Sequence, residues 1–104
     1  MLMALSACQY DRIPGTWIQP VPGYPTLTQG IHFEKDGSAS TIDMPAVEYS
    51  SWKREGDNLI VKGKNIGYGV AFSFTDTLKI VKLTTDSLVL QKGSEIQAYS
   101  RSLK

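Results

Sequence analysis

The sequence holds one cysteine and one histidine among 104 residues. No disulfide can form within the chain, and a zinc site built from those two residue types lacks ligands. Neither sign of charge is in excess: eleven Lys and Arg against ten Asp and Glu leave a formal +1. That excludes the basic footprint of an electrostatic nucleic-acid surface, so no nucleic-acid partner is expected. At 41% apolar content the chain is also not the core-poor kind that stays disordered. Missing too is any helix-period apolar segment longer than a turn. No Gly-x-Ser-x-Gly elbow occurs, and the stretch from Gly63 through Gly67 to Gly69 lacks the glycine spacing and strand-to-helix context of a phosphate loop. The carboxylates mostly flank Lys or Gly at turns, which gives no support for a glycosidase pair. No catalytic residue, cofactor or metal is expected; the protein is not read as an enzyme.

What is present is a series of short runs rich in Val, Ile, Thr, Tyr and Phe. Their alternation predicts strands over 15–20, 28–35, 38–44, 47–55, 58–63, 69–82, 87–92 and 95–101. One strand per ~11 residues is the spacing of an all-β sandwich or barrel. Lys35-Asp36-Gly37, Glu55-Gly56-Asp57 and Thr84-Thr85-Asp86 are tight hairpin signals. The connections at 20–25, 45–46, 64–68 and 93–94 read as looser. In an up-and-down meander, alternate turns fall at alternate ends. The tight turns then share one end with both termini, which predicts a closed base and a more open mouth. Four of the five prolines lie from Pro14 to Pro25, so the first loop is expected to form a stiff lip.

Period two aligns Ile31 with Phe33, Val70 with Phe72 and Phe74, Leu78 with Ile80, and Leu88 with Leu90. These faces should point inward. Tyr49 and Trp52 are three apart, so a regular strand cannot turn both inward without a bulge; Trp52 is the one expected buried. Alternation turns His32 outward. A ligand at the mouth would meet Ile31, Val70, Phe72 and Leu90 as wall, with Tyr24 and Tyr68 as an amphipathic rim.

The first residues read differently. Leu5-Ser6-Ala7-Cys8 has the pattern of a bacterial lipoprotein signal, small residues before a cysteine that carries the lipid, after the apolar run Met-Leu-Met-Ala-Leu. Seven residues cannot cross a bilayer core that needs about 20, so the signal is expected to begin upstream of Met1. The organisation expected is a truncated signal at 1–8, a tether at 9–14 and one β domain at 15–101. Cys8 would be lipidated, making the membrane a partner and placing the protein in the cell envelope, at the outer membrane.

Gly15-Thr16-Trp17 opens the first strand and Tyr99-Ser100-Arg101 ends the last. With Phe33-Glu34-Lys35-Asp36-Gly37, the run from Trp52 to Leu59, Asp76-Thr77-Leu78 and the run from Leu83 to Leu90, this resembles the small lipocalin-like lipoproteins of Gram-negative bacteria. The resemblance spans 15–101. It implies an all-β fold, an eight-stranded antiparallel up-and-down β-barrel, with Arg101 packed across Trp17 as a structural plug at the base. The chain is shorter than a full lipocalin, and neither a helix after the last strand nor the central acidic loop motif is evident. Carriage of a small apolar molecule is implied loosely, because an eight-stranded barrel holds one small ligand or is filled by its own side chains. Two functions stay open. One is a lipid-anchored barrel binding a small apolar or amphipathic molecule at its mouth. The other is a structural or interaction module, its barrel filled, that binds another envelope protein. A void of about 300 Å³ or more at the mouth separates them.

Overall fold

The computed structural model describes residues 12–21, 23–67 and 69–102. They form eight strands: β1 (Gly15–Val21), β2 (Tyr24–Phe33), β3 (Ala39–Ile42), β4 (Val47–Glu55), β5 (Asn58–Gly67), β6 (Val70–Leu83), β7 (Ser87–Lys92) and β8 (Glu95–Ser102). Among the described residues there is no helix. The strands lie in the order β3-β2-β1-β8-β7-β6-β5-β4, every ladder antiparallel. First and last strands are therefore neighbours, and β3 meets β4 to make a nearly closed up-and-down barrel. That seam carries one isolated bridge, Ser38 to Ser51. Hydrogen bonds reinforce it: Trp52 donates its backbone N–H to the Gly37 carbonyl at 2.9 Å and its indole N–H to the Glu34 carbonyl at 2.8 Å. The Thr41 hydroxyl donates to the Val47 carbonyl at 2.8 Å.

The core follows from alternation. Trp17, Ile31, Phe33, Leu59, Val61, Leu88 and Leu90 are buried almost completely, with Leu78, Ile80 and Tyr99 close behind. Removing such a side chain costs about 2–5 kcal/mol, because the cavity left behind collapses only in part. Ile13 belongs to this core as well, fully buried. The segment expected to be tether therefore folds under the barrel at its C-terminal end and closes the base.

The base has the tight turns expected of it. At the β2–β3 turn, Asp36 Oδ1 accepts from the Ser38 backbone N–H and hydroxyl at 2.9 and 2.7 Å, the side-chain-to-backbone bond that makes Asp a turn former. The mouth differs from expectation. β1 continues to Val21 and β2 starts at Tyr24, and β5 continues to Gly67 and β6 starts at Val70. Of the described residues in the expected loops at 20–25 and 64–68, all but Gly23 are strand. Pro20 is accommodated where the β1–β2 register shifts, the kind of irregularity that admits a residue with no N–H to give. Because β8 pairs with β1 only from Thr16 to Ile18 and β3 pairs with β2 only from Gly30 to Phe33, the outer part of β1–β2 is a bare ribbon. Likewise β7 meets β6 only from Lys79 onward. Instead of a stiff lip, two ribbons extend the mouth on opposite sides of the barrel order.

Candidate functional site

The base is built around Trp17. Its indole N–H donates to the Ile13 carbonyl at 2.9 Å, and the guanidinium carbon of Arg101 lies 4.2 Å from the ring centroid, within cation–π range. Register explains the contact, since Trp17 and Arg101 are directly opposite on β1 and β8. The guanidinium is also held by carbonyls: Nη1 donates to Pro14 at 3.0 Å, Nη2 to Arg12 at 2.6 Å and Nε to Thr85 at 2.6 Å. Gly15 sits under this fork with φ at 135°, and a Cβ there would collide with Nη1. The glycine of Gly15-Thr16-Trp17 thus makes room for the arginine eighty-six positions on. With each of the three guanidinium nitrogens donating to a backbone carbonyl, this cluster is a plug.

Above the core, inside the mouth, lies a cavity of about 330 Å³. Leu78 and Leu90 form its apolar floor, and Met44 and Val47 flank it at the β3–β4 side. The remaining wall is polar. Gln19, Gln29 and Gln97 face it from β1, β2 and β8, and Tyr49 and Tyr99 present their phenols. Asp76, Lys92 and Glu95 complete the lining. Lys92 Nζ pairs with Asp76 Oδ1 at 3.1 Å, and Gln97 Nε2 donates to Glu95 Oε2 at 3.0 Å. Burial pushes both phenols above their ordinary acidity range; Asp76 adds to this at Tyr49, and Tyr49 and Glu95 add to it at Tyr99. Both therefore stay protonated and able to donate at neutral pH.

Tyr49 reaches this cavity because β4 is bulged: its register against β5 shifts between Tyr49 and Ser51. The extra residue turns Tyr49 and Trp52, three apart, toward the same interior. Trp52 packs edge-on against Phe33 at 5.5 Å between centroids, and Tyr49 against Phe74 at 5.9 Å. Gly63 lies directly opposite Tyr49, and a Cβ there would collide with the Glu48 carbonyl and stand 2.9 Å from the Tyr49 Cα. The bulge that aims Tyr49 inward thus depends on a glycine.

The expected wall and rim residues do not converge. Leu90 lines the cavity. Ile31 is wholly buried in the core and does not border it. Val70 and Phe72 are corrected: they are 47% and 66% exposed. They share the inward phase of Leu78, but they sit on the part of β6 that has no β7 beside it, so no opposing wall covers them. Tyr24, 62% exposed, stands on the β1–β2 ribbon away from the cavity lining. Tyr68 and Cys8 lie outside the described residues. His32 points outward, between the Thr16 hydroxyl at 2.6 Å and Glu34 Oε2 at 2.9 Å. Among the described residues no three His, Cys, Asp or Glu side chains converge as metal ligands.

The residues missed were the polar ones. Gln19 is in phase with Trp17, Gln29 with Ile31, Gln97 and Tyr99 with Arg101, and Asp76 with Leu78. Alternation already placed them inward; only their polarity argued against it. A polar residue in the inward phase near the mouth end of a strand is the signal that finds them.

No curated protein matches the chain. A lipocalin-like protein from Bacteroides thetaiotaomicron, known from its crystal structure, shares 44% identity and superposes with a TM-score of 0.79, over 86% of this chain and 96% of that one. The family model described as lipocalin-like matches residues 9–102. With barrel, plug and family pattern all in one chain, this protein belongs to the lipocalin-like family.

Proposed function

We propose that this is a lipid-anchored, non-enzymatic protein of the cell envelope that binds a small molecule in the mouth of its barrel. The observation that carries the binding is the cavity: about 330 Å³ is left open above a packed core, at the lower end of small-molecule sites. A barrel filled by its own side chains would have no such volume. The lining offers hydrogen bonds and apolar surface, with no nucleophile set beside a base, so holding a molecule suits it better than transforming one. Anchoring is supported by Leu5-Ser6-Ala7-Cys8, and the outer membrane is the location that such a signal suggests.

Native mass spectrometry of the protein purified from its own envelope tests the binding. A small molecule that co-purifies, and is lost when Leu90→Trp fills the cavity floor, supports the proposal; a protein that is always apo and unaffected by added candidates overturns it. The anchor has its own test. Labelled fatty acid should incorporate into the full precursor and fail to do so in Cys8→Ala, and equal labelling of both rejects lipidation at Cys8.

A further inference from the structure

An unpaired strand edge runs up one side of the mouth. From Val70 to Leu78, β6 has β5 on one side and, among the described residues, no strand on the other. Two hydrogen bonds give the direction of its backbone groups. Ile80 donates its N–H to the Asp57 carbonyl, on the β5 side, and Ile66 of β5 donates to the Ala46 carbonyl, away from β6. Alternation then turns the N–H and C=O of Phe72 and Phe74 toward β5, and those of Ala71, Ser73 and Thr75 toward the open side.

Proteins ordinarily blunt such an edge with proline, charge or a covering element. The other ribbon does so, with Pro20 on β1 and Pro25 on β2. β6 does not. Val70-Ala71-Phe72-Ser73-Phe74-Thr75 holds no proline, glycine or charge, a composition that favours pairing between strands. Val70 and Phe72 are well exposed on it.

The segment is complementary to itself. Lay a second copy antiparallel along it with Ser73 opposite Ser73, and Ala71 meets Thr75 on either side of the axis. These are the residues whose backbone groups point outward, and each such pair exchanges two hydrogen bonds. Between them, Phe72 falls opposite the second copy's Phe74 in the closer, non-hydrogen-bonded sites, where aromatic pairs are favourable. Moving the axis to Phe74 would set Phe72 against Asp76, and Gly69 against Lys79, a place that Gln91 of β7 already holds. Lys62 and Lys64 do not oppose the contact. They lie on β5, and the two copies of β5 would stand three strand spacings apart, about 14 Å, beyond the screening length of about 8 Å in physiological salt. The gap also has the right width. β7 and β8 turn back after Lys92 while their outer neighbours, β6 and β1, continue, and a second copy's β6 and β5 supply two strands to fill it.

We infer that the β6 edge is a self-association surface, on which two copies pair ribbon to ribbon, mouth toward mouth, through an antiparallel β6–β6 ladder centred on Ser73. Each ribbon then stands above the other copy's β7 and β8 and completes the wall over its cavity. A contact of this length belongs to the small, transient class of interfaces, so the single barrel predominates in dilute solution.

Sedimentation velocity of the full chain carrying Cys8→Ala, which removes its one thiol, tests this. Between about 5 and 500 µM, monomer should give way to dimer. Ser73→Pro deletes an N–H that no bond within the barrel uses. That variant should fold, by circular dichroism and thermal melting, and associate at least tenfold more weakly. In the same background, Ser73→Cys should cross-link to a dimer with a short bismaleimide, and Val81→Cys, exposed elsewhere on β6, should not. A parent that stays monomeric throughout, a dimer undiminished in folded Ser73→Pro, or equal cross-linking of the two cysteine variants each overturns the inference. Should Ser73→Pro not fold, the cross-linking pair decides alone. Ala71, Ser73 and Thr75 amides that gain protection from hydrogen exchange only when another envelope protein is added would assign the edge to a foreign strand, and overturn it too.

Discussion

Arg101 and Trp17 face each other across the ladder that joins the two ends of the chain, the guanidinium 4.2 Å above the indole. Three backbone carbonyls, from Arg12, Pro14 and Thr85, take its N–H groups. The one side chain thus ties together the segment before β1, the β6–β7 turn and the ring at the barrel floor. A planar fork can serve these partners at once; an ammonium cannot. Arg101→Ala should lower unfolding free energy by about 2–4 kcal/mol, combining lost charge-assisted hydrogen bonds with the cation–π contact. Arg101→Lys should recover less than half of that. Urea unfolding followed by tryptophan fluorescence measures both, and a lysine variant as stable as the parent would show that charge alone is what matters.

Gly63 gives a second test, this time of the site. Gly63→Ala drives a methyl group into the Glu48 carbonyl, and the strand pair has to open there. Overpacking of this kind costs about 1–3 kcal/mol. Because Gly63 lies opposite Tyr49, the Tyr49–Phe74 contact should loosen as well, visible as changed aromatic signals in NMR spectra. Gly56→Ala, at a base turn, serves as the comparison: it should cost stability without moving the Tyr49 signals.

Strand positions were legible because hairpin signals and alternation act locally. Five of the eight strands have at least one end where the pattern places it, β4 and β7 at both. The ribbons were not legible, because proline and glycine at Pro20, Pro25, Gly67 and Gly69 read as breakers, whereas a two-stranded ribbon leaves one side of each strand unpaired and tolerates them. Alternation also gives phase without depth. Phe72 and Leu78 share a face of β6, yet one is 66% exposed and the other 8%, and only the three-dimensional extent of β7 decides between them. The plug was legible through the resemblance, while the polar lining of the cavity was not, because inward positions of a small barrel are ordinarily apolar.

That difference in depth has a measurable consequence. Phe72 contributes apolar surface to solvent, so Phe72→Ser should change stability by no more than about 0.5 kcal/mol and raise solubility. A variant on the same face below it, Leu78→Ala, should cost about 2–5 kcal/mol. Thermal melts of the two variants decide the matter. Equal losses would mean that a wall covers Phe72 in solution. Phe72→Trp should likewise leave binding in the cavity unchanged, since the side chain is not part of its lining.

The phenols predict an alkaline limb. Burial raises both Tyr49 and Tyr99 above the ordinary value of 10.0. The unfolded chain begins to release these protons near pH 10 while the folded chain keeps them. Their contribution is therefore complete below pH 10 and is lost as the pH rises further, on the order of 1 kcal/mol per pH unit per group. Tyr99→Phe should flatten this limb in urea midpoints recorded from pH 8 to 12. A limb unchanged by that substitution would show that the Tyr99 phenol is hydrated and free to ionise.

Six of the seven ladders join consecutive strands, and the seventh joins β1 to β8 through three residue pairs. The wall is thus two meanders, β1–β3 and β4–β8, each formed from local hairpins. The only covalent link between them, 43–46, runs across the one wall join without a ladder. A chain severed there would lose continuity where pairing is weakest, and its halves would keep the whole β1–β8 edge and the Arg101 fork by which to recognise each other. The wall is organised as two meanders, and contact order predicts that the slow step in making it is their docking, the one event that must bring opposite ends of the chain together.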